Sequence, residues 1–167
     1  ILSEKPVSHD SEKLLPLIDK QKICVGFNRR FYSTVMKAKE FINRESNVLI
    51  KVTIPEKLVA NKNISKKLIP EITYENSVHI FDILNFIAGE IRWLHREIMS
   101  DNTEIKAIVA MGSTNNGNII QLDNYFNNSN NFCIEICAND KRMKLIPIEI
   151  AEFYEGMSLI EPNKENS

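Results

Sequence analysis

Three ionisable side chains, Glu75, His79 and Asp82, stand four and three residues apart in a stretch that is otherwise apolar. On a helix that spacing carries all three to one side. A carboxylate hydrogen-bonded to an imidazole fixes the ring tautomer and raises its basicity, as a general acid or base requires. Read as structure alone, the same residues are a satisfied core histidine with two carboxylates edging the helix, because ion pairs are often structural. His79 and Glu75 could also offer two ligands to a metal, but no third is recognisable nearby, so no metal is expected.

Two further clusters could do chemistry. Glu4-Lys5-Pro6 follows a short apolar run, and in open α/β sheets the carboxyl ends of strands are where ligands bind. Pro6 removes a backbone donor and restricts Lys5 to extended geometry, so the amine is presented from a stiff turn; a solvent lysine at a strand end is the plain alternative. Asn28-Arg29-Arg30-Phe31 marks a junction of strand and helix, where an arginine could meet a phosphate or a sugar hydroxyl, or simply serve the surface.

The elements that must position these groups are legible in part. Ile1-Leu2-Ser3-Glu4 reads as the end of a buried strand, so the chain is expected to begin mid-domain. A short helix is expected from Ser8 to Lys20, with Ser8 or Asp10 as its cap and Pro16 unsettling its middle. Ile23 to Phe27 then reads as a buried parallel strand. Phe31, Val35, Ala38 and Ile42 define one face of a helix, and Val48 to Ile54 a strand. The connection from Pro55 to Pro70 carries no assignable pattern. A second helix from about Tyr74 to Ala88 is apolar on nearly every side, must be buried, and stops at Gly89. Strands are expected at about 91–98, 105–111, 118–126, 132–138 and 143–150. The sum is an α+β domain: a mostly antiparallel open sheet with helices on one face, after a βαβ opening.

Composition narrows the partners. The 167 residues are 43% hydrophobic and 26% charged with a formal net charge of −1, which gives no field for nucleic acid or an anionic membrane. No run reaches the roughly 20 apolar residues that span a bilayer. Cys24, Cys133 and Cys137 are odd in number and form no metal-type cluster, so they read as reduced and the location as cytoplasmic.

In order and spacing, Glu4-Lys5-Pro6, then Gly-Phe-Asn-Arg-Arg-Phe (26–31), then Glu-Asn-Ser-Val-His-Ile-Phe-Asp (75–82), the chain resembles the Gfo/Idh/MocA family of oxidoreductases over roughly residues 1 to 150. The resemblance implies a remnant of an NAD(P)-binding Rossmann domain over residues 1–27, a C-terminal α/β substrate domain over 28–160, and a disordered tail over 161–167. It implies Lys5, His79 and Glu75 as catalytic residues, with His79 as the histidine of an Asp-x-x-x-His motif whose Asp position is Glu75. Glu4, Lys5 and Pro6 would border the cofactor, NAD or NADP, and Arg30, Asn28 and Asn76 a sugar-type substrate: a nucleotide sugar, free sugar or inositol. A homo-oligomer through the sheet would follow family habit.

Two departures qualify this. Ser77 replaces a usual glycine and could narrow the pocket or add a hydrogen-bonding hydroxyl. The cofactor fingerprint Gly-x-Gly-x-x-Gly is absent, and without that loop the pyrophosphate has no helix N-terminus to bind, so this chain alone should hold dinucleotide poorly. A non-catalytic remnant that serves assembly, or a sugar-binding module, are the rival expectations.

Overall fold

The structure is a computed structural model that describes residues 2–5, 12, 15, 16, 24–56, 69–101, 105–127 and 129–164. Strand β1 (Leu2–Ser3) pairs in parallel with β2 (Cys24–Val25), and the Gly26 amide donates to the Ser3 carbonyl at 2.9 Å. The helix expected from Ser8 to Lys20 lies almost wholly outside the described residues. After β2 the chain makes a single 3-10 turn, Asn28–Phe31, and enters α1 (Ser33–Arg44). Val35, Ala38 and Ile42 are buried as their spacing predicts, but Phe31 is 78% exposed. The 3-10 turn is tighter than an α-turn, so Phe31 falls off the helix face it was expected to share.

Strand β3 (Leu49–Ile54) and helix α2 (Ile69–Ala88) follow, α2 ending at Gly89 with φ +87°. Six more strands come in sequence: β4 (Ile91–Ser100), β5 (Ile105–Thr114), β6 (Ile119–Tyr125), β7 (Cys133–Ala138), β8 (Lys141–Leu145) and β9 (Ile150–Glu155). A last one, β10 (Ser158–Lys164), completes an eight-stranded sheet of order β10-β9-β8-β7-β3-β6-β5-β4. Every pair in it is antiparallel except β3 with β6. The architecture is the expected α+β one.

Alternation along the strands separates two faces. Ile50, Val52, Ile54, Ile120, Leu122, Ile134, Ile136, Met143 and Leu145 turn inward to form one core with Val35, Ala38 and Ile42 of α1 and Ile80, Ile83, Leu84 and Ile87 of α2. A side chain of that size, fully buried, stabilises by about 1.5–3 kcal/mol. The outward face carries alternating charge in register: Lys51 opposite Glu135, Glu135 opposite Lys144, and Lys144 opposite Glu152. Toward β5 that alternation gives way to exposed Val109 and Met111.

Two expectations are corrected at the C-terminal end. The strand expected over 143–150 is two strands, because Pro147 has no amide to give a ladder, and the chain turns there with Ile146 donating to Ile150 and Ile150 to Pro147. Residues 161–164, expected in a disordered tail, continue β10 and pair with 150–153 of β9. Their polar composition carries no alternation from which a strand could be read. All three cysteines are free, and burial raises the thiols of Cys133 and Cys137.

Candidate active site

Helix α2 presents two faces with different tasks. Ser77, Ile80, Ile83, Leu84 and Ile87 recur at helical spacing and are buried with the core. On another side His79, Asp82 and Phe86 recur at three and four, and meet the segment from Phe27 to Arg30. Two members of the stripe read from the sequence, His79 and Asp82, therefore lie on the side of α2 turned toward the segment that follows β2.

His79 is 6% exposed, and the ring of Phe27 stands edge-on to it, centroids 6.2 Å apart at 83°. Its Nδ1 is buried and has no hydrogen-bond partner among the described residues. Burial first, then the charges of Arg29 and Lys5, push the imidazole down to about 4 against an opposing pull from Asp82. At neutral pH the ring is therefore uncharged and able to accept a proton.

Lys5 is half-buried just past β1, and its charge bears on His79 of α2. Asn28 is exposed on the 3-10 turn. Arg30 is engaged: its Nε donates to Asp82 Oδ2 at 2.6 Å, its Nη2 donates to Oδ1, and the guanidinium lies 5.6 Å from the Phe27 ring centroid and 5.7 Å from that of Phe86. The bond to Asp82 holds the guanidinium above its ordinary range. A bidentate pair on a buried carboxylate, flanked by two aromatic faces, is a clamp between the turn and α2.

Pro6 lies outside the described residues, as do the side chains of Glu75 and Asn76, whose backbone belongs to α2. Glu4 is exposed beside Gly26, where an added Cβ would lie 3.7 Å from its carboxylate.

Sequence reasoning passed over two residues. Arg29, rather than Arg30, bears on His79; neighbours in a 3-10 turn point in different directions, and nothing in the sequence says which faces inward. Glu56, only 4% exposed, accepts from Ser77 twice at the same oxygen, from the amide at 3.1 Å and the hydroxyl at 2.7 Å. Ser77 thus does add a hydrogen-bonding hydroxyl, turned to the sheet. Among the described residues no group of three His, Cys, Asp or Glu could hold a metal ion, and no helix is long and apolar enough to cross a membrane.

No protein-family model matches the chain, and no curated protein matches it. Solved structures do. A dehydrogenase from Clostridium difficile superposes with a TM-score of 0.74 at 18% identity, over 99% of this chain and 55% of its own. An oxidoreductase from Thermotoga maritima gives 0.75 at 19%, over 99% and 55%. The fold is that of these solved oxidoreductases. Levoglucosan dehydrogenase in complex with NADH and levoglucosan gives 0.75 at 16%, over 98% of this chain and 54% of that one. The chain thus spans about half the length of the proteins it matches.

Proposed function

We propose that this chain is the substrate-side half of an NAD(P)-dependent oxidoreductase acting on a sugar-type hydroxyl, with residues 1–27 as the end of its cofactor domain and 28–160 as its substrate domain. One observation supports the reading: His79 of α2 is buried and neutral, and the charge of Lys5, just past β1, bears on it. Solved neighbours with the same fold include levoglucosan dehydrogenase complexes holding NADH with levoglucosan or with L-sorbose, which makes a polyhydroxylated substrate the natural class.

The chain's own residues suit only one end of a dinucleotide. Glu4 and Lys5 stand at a strand end, but the five glycines are scattered: Gly26 past β2, Gly112 within β5, and Gly89, Gly117 and Gly156 at separate positive-φ turns. None shapes a loop for a pyrophosphate, so the phosphates belong to protein outside these 167 residues. A bound nicotinamide would supply the hydride acceptor, or the donor in the reverse direction.

This chain's part is acid–base chemistry. His79 takes the hydroxyl proton as the carbon gives up its hydride, and returns it in reduction. A base near 4 is weak at neutral pH, about 4 kcal/mol poorer than one at 7 by the usual conversion. The same charges of Lys5 and Arg29 that depress it also stabilise an alkoxide formed beside them, so donor and acceptor are lowered together. Glu75 would orient the imidazole and Asn28, Asn76 and Arg30 would border the substrate, Arg30 by way of the clamp on Asp82.

The test is Lys5→Met in the longest form of the protein that turns over. Turnover should fall by about 100-fold or more with substrate KM little changed, because the lost interaction belongs to the transition state. Unchanged turnover would exclude Lys5 from the chemistry. A second reading, an assembly or sugar-binding module, is favoured by the exposed Val109 and Met111 on the open face; a homo-oligomer through that face fits either reading. Free cysteines suit a reducing cytoplasm.

A further inference from the structure

Glu56 has no role in the chemistry above, yet it is a buried carboxylate at a junction of the fold. It follows Pro55, just past Ile54, the last residue of β3. Its backbone carbonyl accepts from the Asn127 amide at 2.8 Å, just beyond β6, so its main chain is fixed where the two parallel strands end. Its side chain reaches the opposite way, into α2, and one oxygen takes both the amide and the hydroxyl of Ser77. A carboxylate that receives a backbone amide and a hydroxyl from one residue is the arrangement usual at helix starts, where amides await an acceptor. Here it is made within α2, two residues before His79.

The geometry matters because of what His79 lacks. Its Nδ1 has no hydrogen-bond partner among the described residues, so among them the ring's direction is set by the placement of its helix turn and by the edge of Phe27. Ser77 and His79 lie about 200° apart around the helix at 3.6 residues per turn. A tie at Ser77 therefore fixes how far α2 stands from the sheet at the turn whose other side carries the imidazole. The Arg30–Asp82 clamp holds the side of α2 that carries His79. Remove either and the helix can tilt.

We infer that Glu56 is a positioning residue: through Ser77 it fixes the depth of the α2 turn that carries His79, and so the environment of the imidazole. The inference rests on the proposed role of His79, but its test needs neither cofactor nor substrate.

The experiment is a pH titration of the histidine ring nitrogens by NMR on the 167-residue chain, with His79 assigned by loss of its signals in His79→Gln. In the wild type His79 should titrate near 4. In Glu56→Ala and Ser77→Ala it should move up toward about 6.5, a gain of at least about tenfold in proton affinity, as the turn loosens and water enters. Glu56→Gln, which keeps an acceptor oxygen of the same reach, should restore the wild-type titration. A lower melting temperature in Glu56→Ala and Ser77→Ala with His79 still titrating as in the wild type would overturn the inference and leave Glu56 a purely structural tie. If Glu56→Ala fails to fold, Ser77→Ala decides the matter by the same criterion. A shifted His79 together with no turnover in the longest form tried would keep this inference and count against the oxidoreductase reading, so the two can fail separately.

Discussion

A histidine held neutral by burial and by two cations leaves a mark on stability. His79 titrates near 4 in the folded chain and near the ordinary 6.5 or so when unfolded, so between those values the unfolded state binds more protons. Its contribution is therefore intact above about 6.5 and is lost as the pH falls toward about 4. His79→Phe should flatten that part of the pH–stability curve, measured by urea midpoints at stepped pH; a slope that persists would assign it to other groups. The Arg30–Asp82 clamp gives a second expectation at this scale. Arg30→Met strands a carboxylate whose side chain is 6% exposed, and should cost about 1–3 kcal/mol, the lower end reflecting an arginine that is itself 39% exposed. Adding Asp82→Asn should recover much of that loss in a double-mutant cycle, and additivity would show the pair uncoupled. Of these contacts the sequence showed His79, Asp82 and Lys5 as residues worth asking about. It could not show that Asp82 faces Arg30, because partners so far apart in the chain are chosen by tertiary packing.

Elements were more legible where burial imposed a period. Val35, Ala38 and Ile42 gave away α1, and the apolar helix ending at Gly89 is where its composition put it, although it begins earlier than the apolar stretch suggested. Gly89 has a positive φ, so Gly89→Ala should destabilise by about 1–2 kcal/mol without altering the sheet. Strand β4 is exposed along almost its whole length, and it is held to β5 at a close approach that only glycine allows. A Cβ on Gly112 would meet Ile91 Cγ2 at 2.9 Å, the Arg92 carbonyl at 3.0 Å and the Trp93 ring at 3.2 Å. Gly112→Ala should therefore cost about 1–3 kcal/mol and deprotect β4 amides in hydrogen exchange before those of β3. Equal protection loss across the sheet would contradict this. The strands at 150–155 and 158–164 escaped notice for the opposite reason: Pro147 interrupts the run before them, and their sequences carry little apolar alternation to read.

At the scale of the molecule, the β1–β2 unit and α2 bring Lys5 close enough for its charge to bear on His79, while no Gly-x-Gly-x-x-Gly run occurs in these 167 residues. On the proposed function, one active site is divided between this chain and protein outside it. The most direct measurement is quenching or enhancement of reduced-nicotinamide fluorescence, titrated into the 167-residue chain and into a form extended upstream in its gene through a cofactor domain. Saturable binding to the extended form, with none to the chain alone, is the predicted result. Binding to neither would contradict the oxidoreductase reading and favour an assembly module.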